Sequence, residues 1–94
     1  MNDTKIKFCG LTRVEDVHAA CAAGASAIGF VFYPGSPRHI TPDRAAELMR
    51  EAPAFITPVG LFVNASLDEV QATISVAPVS LIQFHGDETI QGVS

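Results

Sequence analysis

The most constraining feature of the sequence is a regular alternation between short apolar runs and amphipathic segments. Four near-continuous apolar runs, rich in β-branched and aromatic residues, occupy residues 6–9, 27–32, 58–63 and 79–84. Such runs are typical of strands that are buried on both faces of a parallel sheet. The segments between them carry apolar residues at spacings of three and four, which predicts helices. These residues are Val14, Val17 and Cys21, then Ala45, Leu48 and Met49, then Leu67, Val70 and Ile74. We therefore expect the order β-α-β-α-β-α-β.

Local signals mark where the three helices begin and end. Two stretches have the spacing of a capping box, in which a hydroxyl and a carboxylate three residues later satisfy free amides at a helix start. They are Thr12 with Glu15 and Ser66 with Glu69. Thr41 precedes Pro42, and proline is favoured at the first helical position because the missing amide costs nothing there. Gly24 and Pro53 stand where the first and second helices are expected to stop.

The alternation predicts parallel strands with right-handed helical crossovers, in a sheet that is either open or closed. The sequence has neither the glycine-rich fingerprint of a dinucleotide-binding sheet nor a P-loop. Residues 12–17 and 27–28 also recur approximately at 65–70 and 80–81, which favours a repeated unit. We expect a TIM (β/α)8-barrel architecture, with residues 1–94 forming one partial domain. It would hold about the first four βα units, a half-barrel truncated after the fourth strand. An open doubly wound sheet is the alternative.

Composition narrows the classes of partner. With 48% hydrophobic residues, 17% charged residues and a net charge of −4, the chain is compact rather than disordered, and nucleic acid is not an expected partner. No apolar run approaches the roughly 20 residues of a membrane helix, and the first residues lack the features of a signal peptide. We therefore expect a cytoplasmic protein with no membrane partner. Two cysteines do not make a disulfide framework.

Candidate site residues lie where the predicted strands end, because barrel active sites lie at the carboxyl ends of the strands. Cys9 ends the first apolar run just before a predicted helix start, which stabilises a thiolate. It is either a general base or nucleophile, or a buried strand cysteine. Cys21, on the apolar stripe of the first helix, is expected to be a packing residue.

The loop after the second strand ends in Arg38 and His39. The planar fork of Arg38 suits an anionic substrate, and a solvated loop arginine is the alternative. His85 ends the fourth strand and either donates a hydrogen bond, acts as an acid or base, or is structural. His39 and His18 are expected to face solvent. No metal site is predicted, because no typical spacing of metal ligands occurs.

Four motifs occur in a characteristic order and spacing. They are Lys7-Phe8-Cys9-Gly10-Leu11-Thr12, a stretch at residues 24–33 that runs into Ser36-Pro37-Arg38, Val59-Gly60-Leu61-Phe62-Val63-Asn64, and Ile82-Gln83-Phe84-His85-Gly86-Asp87-Glu88. With these motifs the chain resembles the phosphoribosylanthranilate isomerase family. The resemblance implies a (β/α)8 barrel that acts on a small phosphosugar in tryptophan biosynthesis, without a cofactor. It also implies that Cys9 is the general base, that Arg38 binds the anthranilate carboxylate and that His85 is a substrate-binding residue.

The resemblance also implies what this sequence does not contain. The family's general acid is an aspartate at the end of a later strand, and its phosphate loops belong to the last strands, so both are absent from this chain. Asp87 matches the fourth-strand loop and does not take the acid's place. Residues 89–94 lack the apolar stripe of a fourth helix. We expect the chain alone to be inactive and to self-associate through open strand edges. The alternatives are another phosphosugar-binding barrel enzyme and a non-catalytic fragment or interaction module.

Overall fold

The computed structural model describes residues 6–85. Four strands and three helices alternate within it: β1 (Lys7–Cys9), α1 (Val14–Ala22), β2 (Ala27–Val31), α2 (Pro42–Met49), β3 (Thr57–Val63), α3 (Leu67–Val76) and β4 (Leu81–His85). The strands are all parallel, and they lie in the sheet in chain order, β1-β2-β3-β4. This order agrees with the predicted half-barrel, because an open doubly wound sheet reverses its strand order at a switch point.

The strand bounds differ from the prediction mainly at β4. We expected the last strand at residues 79–84, but it begins two residues later, at Leu81. Pro78 has no amide to donate, and the amide of Val79 donates to the carbonyl of Ala77 at 2.8 Å, so the chain is still turning there. Hydrogen bonding to β3 begins at Ser80, whose amide donates to the carbonyl of Pro58 at 2.9 Å, and the strand begins at the next residue. Within the described residues, β4 runs as far as His85.

The core lies between the helices and the convex face of the sheet. Phe30 of β2, Val17 of α1 and Leu48 of α2 are fully buried there and belong to one hydrophobic cluster. Cys21 packs against this cluster and is partly buried, which confirms that it is a packing residue. Because side chains alternate along a strand, the neighbours of Phe30 face the concave side, which would be the interior of a barrel.

Most of the predicted helix starts and stops are present in the structure. Ser66 and Glu69 form the predicted capping box, with hydrogen bonds of 2.8 and 3.1 Å. The predicted cap of Thr41 on α2 is also present, since its hydroxyl accepts from the amide of Arg44 at 3.2 Å. At Gly24, which has φ of 88°, α1 stops as predicted. The amides of Gly24 and Ala25 donate to the carbonyls of Cys21 and Ala20, which is the Schellman pattern.

The predicted capping box of Thr12 with Glu15 is wrong. Helix α1 begins at Val14, so its N-cap is Arg13, which makes no side-chain cap. Leu11 is buried in the core, and its amide donates to the carbonyl of Gly29 at 3.2 Å. These contacts hold the chain extended past Thr12. The guanidinium of Arg13 instead donates to both carboxylate oxygens of Asp16, at 3.2 and 3.3 Å.

Within residues 6–85, no helix combines the length and the apolar character that a membrane crossing requires. Two of our expectations, the place of Asp87 and the lack of a stripe at residues 89–94, lie outside the described residues.

Candidate active site

The carboxyl ends of the four strands meet at one edge of the sheet. Cys9 is the last residue of β1 and His85 is the last residue of β4. The loop with Arg38 follows β2, and its return is tied to that strand because the amide of Ile40 donates to the carbonyl of Val31 at 3.0 Å. The three predicted site residues therefore lie along one edge, where barrel enzymes bind their substrates.

Cys9 has an exposed thiol on the concave face. It is in register with Gly29 of β2, and a Cβ at position 29 would lie 2.8 Å from the sulfur of Cys9. The thiol therefore occupies the space that the missing side chain of Gly29 leaves open. This placement removes the alternative that Cys9 is a buried strand cysteine, and it keeps the sulfur accessible to a ligand.

Arg38 lies beside Gly10, the residue that follows Cys9 at the end of β1. A Cβ at Gly10 would lie 2.5 Å from Cδ and 3.1 Å from one terminal nitrogen of Arg38, so the arginine packs directly over this glycine. Gly10 has φ of 78°, a conformation that strains other residues. The amide of Arg38 also donates to the hydroxyl of Ser36 at 3.0 Å, which fixes the loop. Arg38 therefore packs against the residue that follows Cys9 in the chain.

His85 lies three strands away from Cys9. It is exposed and in register with Val63 of β3. Asn64, the residue after Val63, has φ of 53°, and asparagine tolerates this left-handed conformation better than most residues. This conformation turns the chain away at the end of β3, next to the edge on which His85 lies.

Of the other two described histidines, His39 lies at the end of β2 beside Arg38, and His18 lies on α1. His39 is exposed, as we expected, and forms an isolated bridge with Val31. His18 is also exposed, and its Nε2 lies 3.0 Å from a carboxylate oxygen of Glu51. Within the described part of the chain, no group of three histidine, cysteine or acidic side chains could hold a metal ion.

The sequence did not single out Lys7 and Gln83, which the structure brings together on the concave face near Cys9 and His85. The ammonium of Lys7 donates to the side-chain carbonyl oxygen of Gln83 at 3.0 Å. Lys7 precedes Cys9 by two residues and Gln83 precedes His85 by two, so each pair shares the concave face. This alternation, Lys-x-Cys in one motif and Gln-x-His in another, is the sequence signal that would have found them.

Comparison with known proteins decides the family. The family model described as N-(5'phosphoribosyl)anthranilate (PRA) isomerase matches residues 6–94. The chain belongs to the phosphoribosylanthranilate isomerase family. A relative from Herminiimonas arsenicoxydans, named N-(5'-phosphoribosyl)anthranilate isomerase, is 60% identical over 87 residues, which are 93% of this chain and 38% of that protein. The protein of the same name from Dechloromonas aromatica is 59% identical, over 90% of this chain and 41% of its own length.

Solved structures of phosphoribosylanthranilate isomerases have the same fold. The structure from Thermus thermophilus matches with a TM-score of 0.86 and 39% identity, and covers 90% of this chain and 42% of that chain. A second structure matches with a TM-score of 0.85 and 39% identity, over 90% of this chain and 44% of its own. It is a complex with reduced 1-(o-carboxyphenylamino)-1-deoxyribulose 5-phosphate. The chain thus spans about two fifths of the length of these proteins and has the fold of a half-barrel.

Proposed function

We propose that this chain carries the first part of the active site of an enzyme that isomerises N-(5-phosphoribosyl)anthranilate to 1-(2-carboxyphenylamino)-1-deoxyribulose 5-phosphate. The reaction is an Amadori rearrangement in tryptophan biosynthesis, and we place it in the cytoplasm. The observation that carries the proposal is the placement of Arg38 over Gly10, the residue that follows the exposed thiol of Cys9 at the carboxyl edge of the sheet. Family membership supports a substrate that would present an acidic carbon to Cys9 and a carboxylate to Arg38.

In the proposed reaction Cys9 acts as the general base. Opening of the ribose ring, assisted by an acid outside this chain, leaves a protonated imine at C1. The thiolate of Cys9 then takes the proton from C2, and the electrons of the C2–H bond form a C1=C2 double bond while those of the C=N bond move to nitrogen. The resulting enol becomes the C2 ketone when C1 takes up a proton and the C2 hydroxyl loses its proton. The adjacent cationic imine acidifies the C2 proton, so a thiolate is a sufficient base.

Arg38 and His85 bind the substrate in this proposal. The guanidinium of Arg38 pairs with the anthranilate carboxylate, since its planar fork matches the two carboxylate oxygens. Its contact with Gly10 would hold the aromatic end of the substrate close to Cys9. His85, on the other end of the edge, would hydrogen-bond a sugar oxygen. No cofactor is needed, because the reaction moves only protons and electron pairs within one molecule.

The proposal is tested in a full-length chimera. This chain replaces the matching 87 residues of the Herminiimonas arsenicoxydans relative, which supplies the rest of the barrel. We expect the chimera to catalyse the isomerisation and Cys9→Ala to lower kcat roughly 100- to 10,000-fold, the usual contribution of a general base.

The matched control is Cys21→Ala, which removes the other thiol at a position on α1 that packs against the core. We expect it to leave kcat unchanged. An inactive parent chimera would contradict the proposed function and favour a non-catalytic module, whereas full activity in Cys9→Ala would show that Cys9 is not the general base.

A further inference from the structure

The concave face carries a contact that the proposed chemistry does not use. The ammonium of Lys7 on β1 and the amide oxygen of Gln83 on β4 are 3.0 Å apart. These strands are the outer two of the described four-stranded sheet, and in a flat sheet they would be separated by three strand spacings, roughly 14 Å. The side chains therefore meet because the sheet curves, and their hydrogen bond links the two outer strands across the concave face.

The strand register shows that the Lys7–Gln83 hydrogen bond lies next to the site, on the amino-terminal side of Cys9 and His85. Lys7 is in register with Ala27 and, through it, with Thr57, whereas Gln83 is in register with Leu61, four residues further along β3. A barrel with eight strands and a shear of eight offsets neighbouring strands by about one residue, or about three over three strands. Lys7 and Gln83 thus lie near one level of the barrel.

Cys9 and His85 have the same register offset as Lys7 and Gln83, two residues closer to the carboxyl ends of the strands. Cys9 is in register with Gly29 and, through it, with Val59, and His85 is in register with Val63, again four residues further along β3. Each lies two residues beyond a member of the Lys7–Gln83 pair, on the same face of its strand. The separation of Lys7 and Gln83 therefore constrains the separation of Cys9 and His85.

We propose that Lys7 and Gln83 are positioning residues, whose hydrogen bond sets the distance between Cys9 and His85 across the mouth of the site. The chemistry of the pair suits this role. Gln83 is neutral, so the contact does not cancel the charge of Lys7, while an ammonium donor makes it stronger than a neutral hydrogen bond. This inference rests on the proposed function, because it assigns the pair to the spacing of the base and the substrate-binding histidine.

The test uses the active chimera with Lys7→Met, Gln83→Leu and the double variant. Each single variant removes one end of the contact and keeps a side chain of similar length. We expect each to lower kcat roughly 10- to 100-fold, the range caused by misplacing reacting groups by about 1 Å, with KM nearly unchanged. The double variant should be no slower than either single one, because the pair acts as a unit. Lys7→Arg and Gln83→Glu keep a donor and an acceptor and should restore most of kcat.

Three kinetic outcomes overturn the proposal. They are losses that multiply in the double variant, a loss in Lys7→Met with none in Gln83→Leu, and a change in KM alone. The matched control is Gln71→Leu, the same substitution at an exposed position of α3, which should leave kcat unchanged.

A second measurement separates this proposal from the proposed function, because it does not depend on turnover. In NMR spectra of the chimera, Gln83→Leu should shift the amide resonance of Cys9, and Lys7→Met should shift that of His85. If each substitution perturbs only its own strand, the pair does not couple β1 to β4 and the proposal is wrong, whether or not the chimera is active. Retained activity in Cys9→Ala, by contrast, bears only on the proposed base.

Discussion

At the scale of single residues, Gly29 decides where the thiol of Cys9 lies. A Cβ at this position would lie 2.8 Å from the sulfur, closer than a real contact allows, so an alanine must displace the thiol. We expect Gly29→Ala in the chimera to lower kcat roughly 10- to 100-fold, since a shift of about 1 Å in a reacting group has effects of this size. Steady-state kinetics measures the change.

Gly24→Ala is the matched control. It is the same substitution, but at Gly24 the added methyl group strains the backbone without displacing a neighbouring side chain. No heavy atom lies within 4 Å of a Cβ at position 24, but φ is 88° there. We expect about 1–2 kcal/mol of strain, seen as a lower urea midpoint, with kcat unchanged. A Gly29→Ala enzyme with normal kcat would show that the thiol does not need the space over Gly29.

At the scale of elements, only one of the two predicted capping boxes forms: Ser66 caps α3, whereas Thr12 does not cap α1. Ser66→Ala removes a cap that is present at 3.1 Å and should destabilise α3 by about 1 kcal/mol, whereas Thr12→Ala removes a hydroxyl that caps nothing. Hydrogen exchange of the first amides of each helix measures the difference in the chimera. Faster exchange in α1 after Thr12→Ala would mean that Thr12 caps the helix in solution.

The same contrast shows how much of the fold and site could be predicted from the sequence. The strands, the helices, and the Ser66 cap follow from local periodicity and residue chemistry, so they were predicted. Helix α1 starts late because Leu11 binds to β2, a contact that depends on tertiary packing. For the candidate site, strand ends and motifs were enough to predict that Cys9 and Arg38 lie at the carboxyl edge of the sheet. The position of the Cys9 thiol over Gly29 depends on the register between β1 and β2. The Lys7–Gln83 contact depends on the curvature of the four-stranded sheet. Neither the register nor the curvature can be read from a local sequence pattern.

At the scale of the whole molecule, the two outer strands determine how the 94-residue chain behaves by itself. In the described sheet β1 and β4 each pair on one side only. Leu81 and Phe84 of β4 are 57% and 59% exposed, on opposite faces of that strand. An unpaired edge strand with exposed apolar side chains is a template for pairing with another chain.

We therefore expect the isolated chain to self-associate and to lack isomerase activity. Sedimentation velocity should show oligomers whose fraction falls on dilution. Leu81→Lys and Phe84→Lys should weaken the association, because charges on an edge strand oppose pairing. Val76→Lys, at an apolar position on α3 that is 43% exposed, is the control and should change it less. Supplying the remaining part of the Herminiimonas arsenicoxydans relative in trans should compete for the same edges, reducing self-association while restoring turnover that depends on Cys9. A monodisperse monomer that is active by itself would show that four strands suffice, and that the general acid lies within this chain.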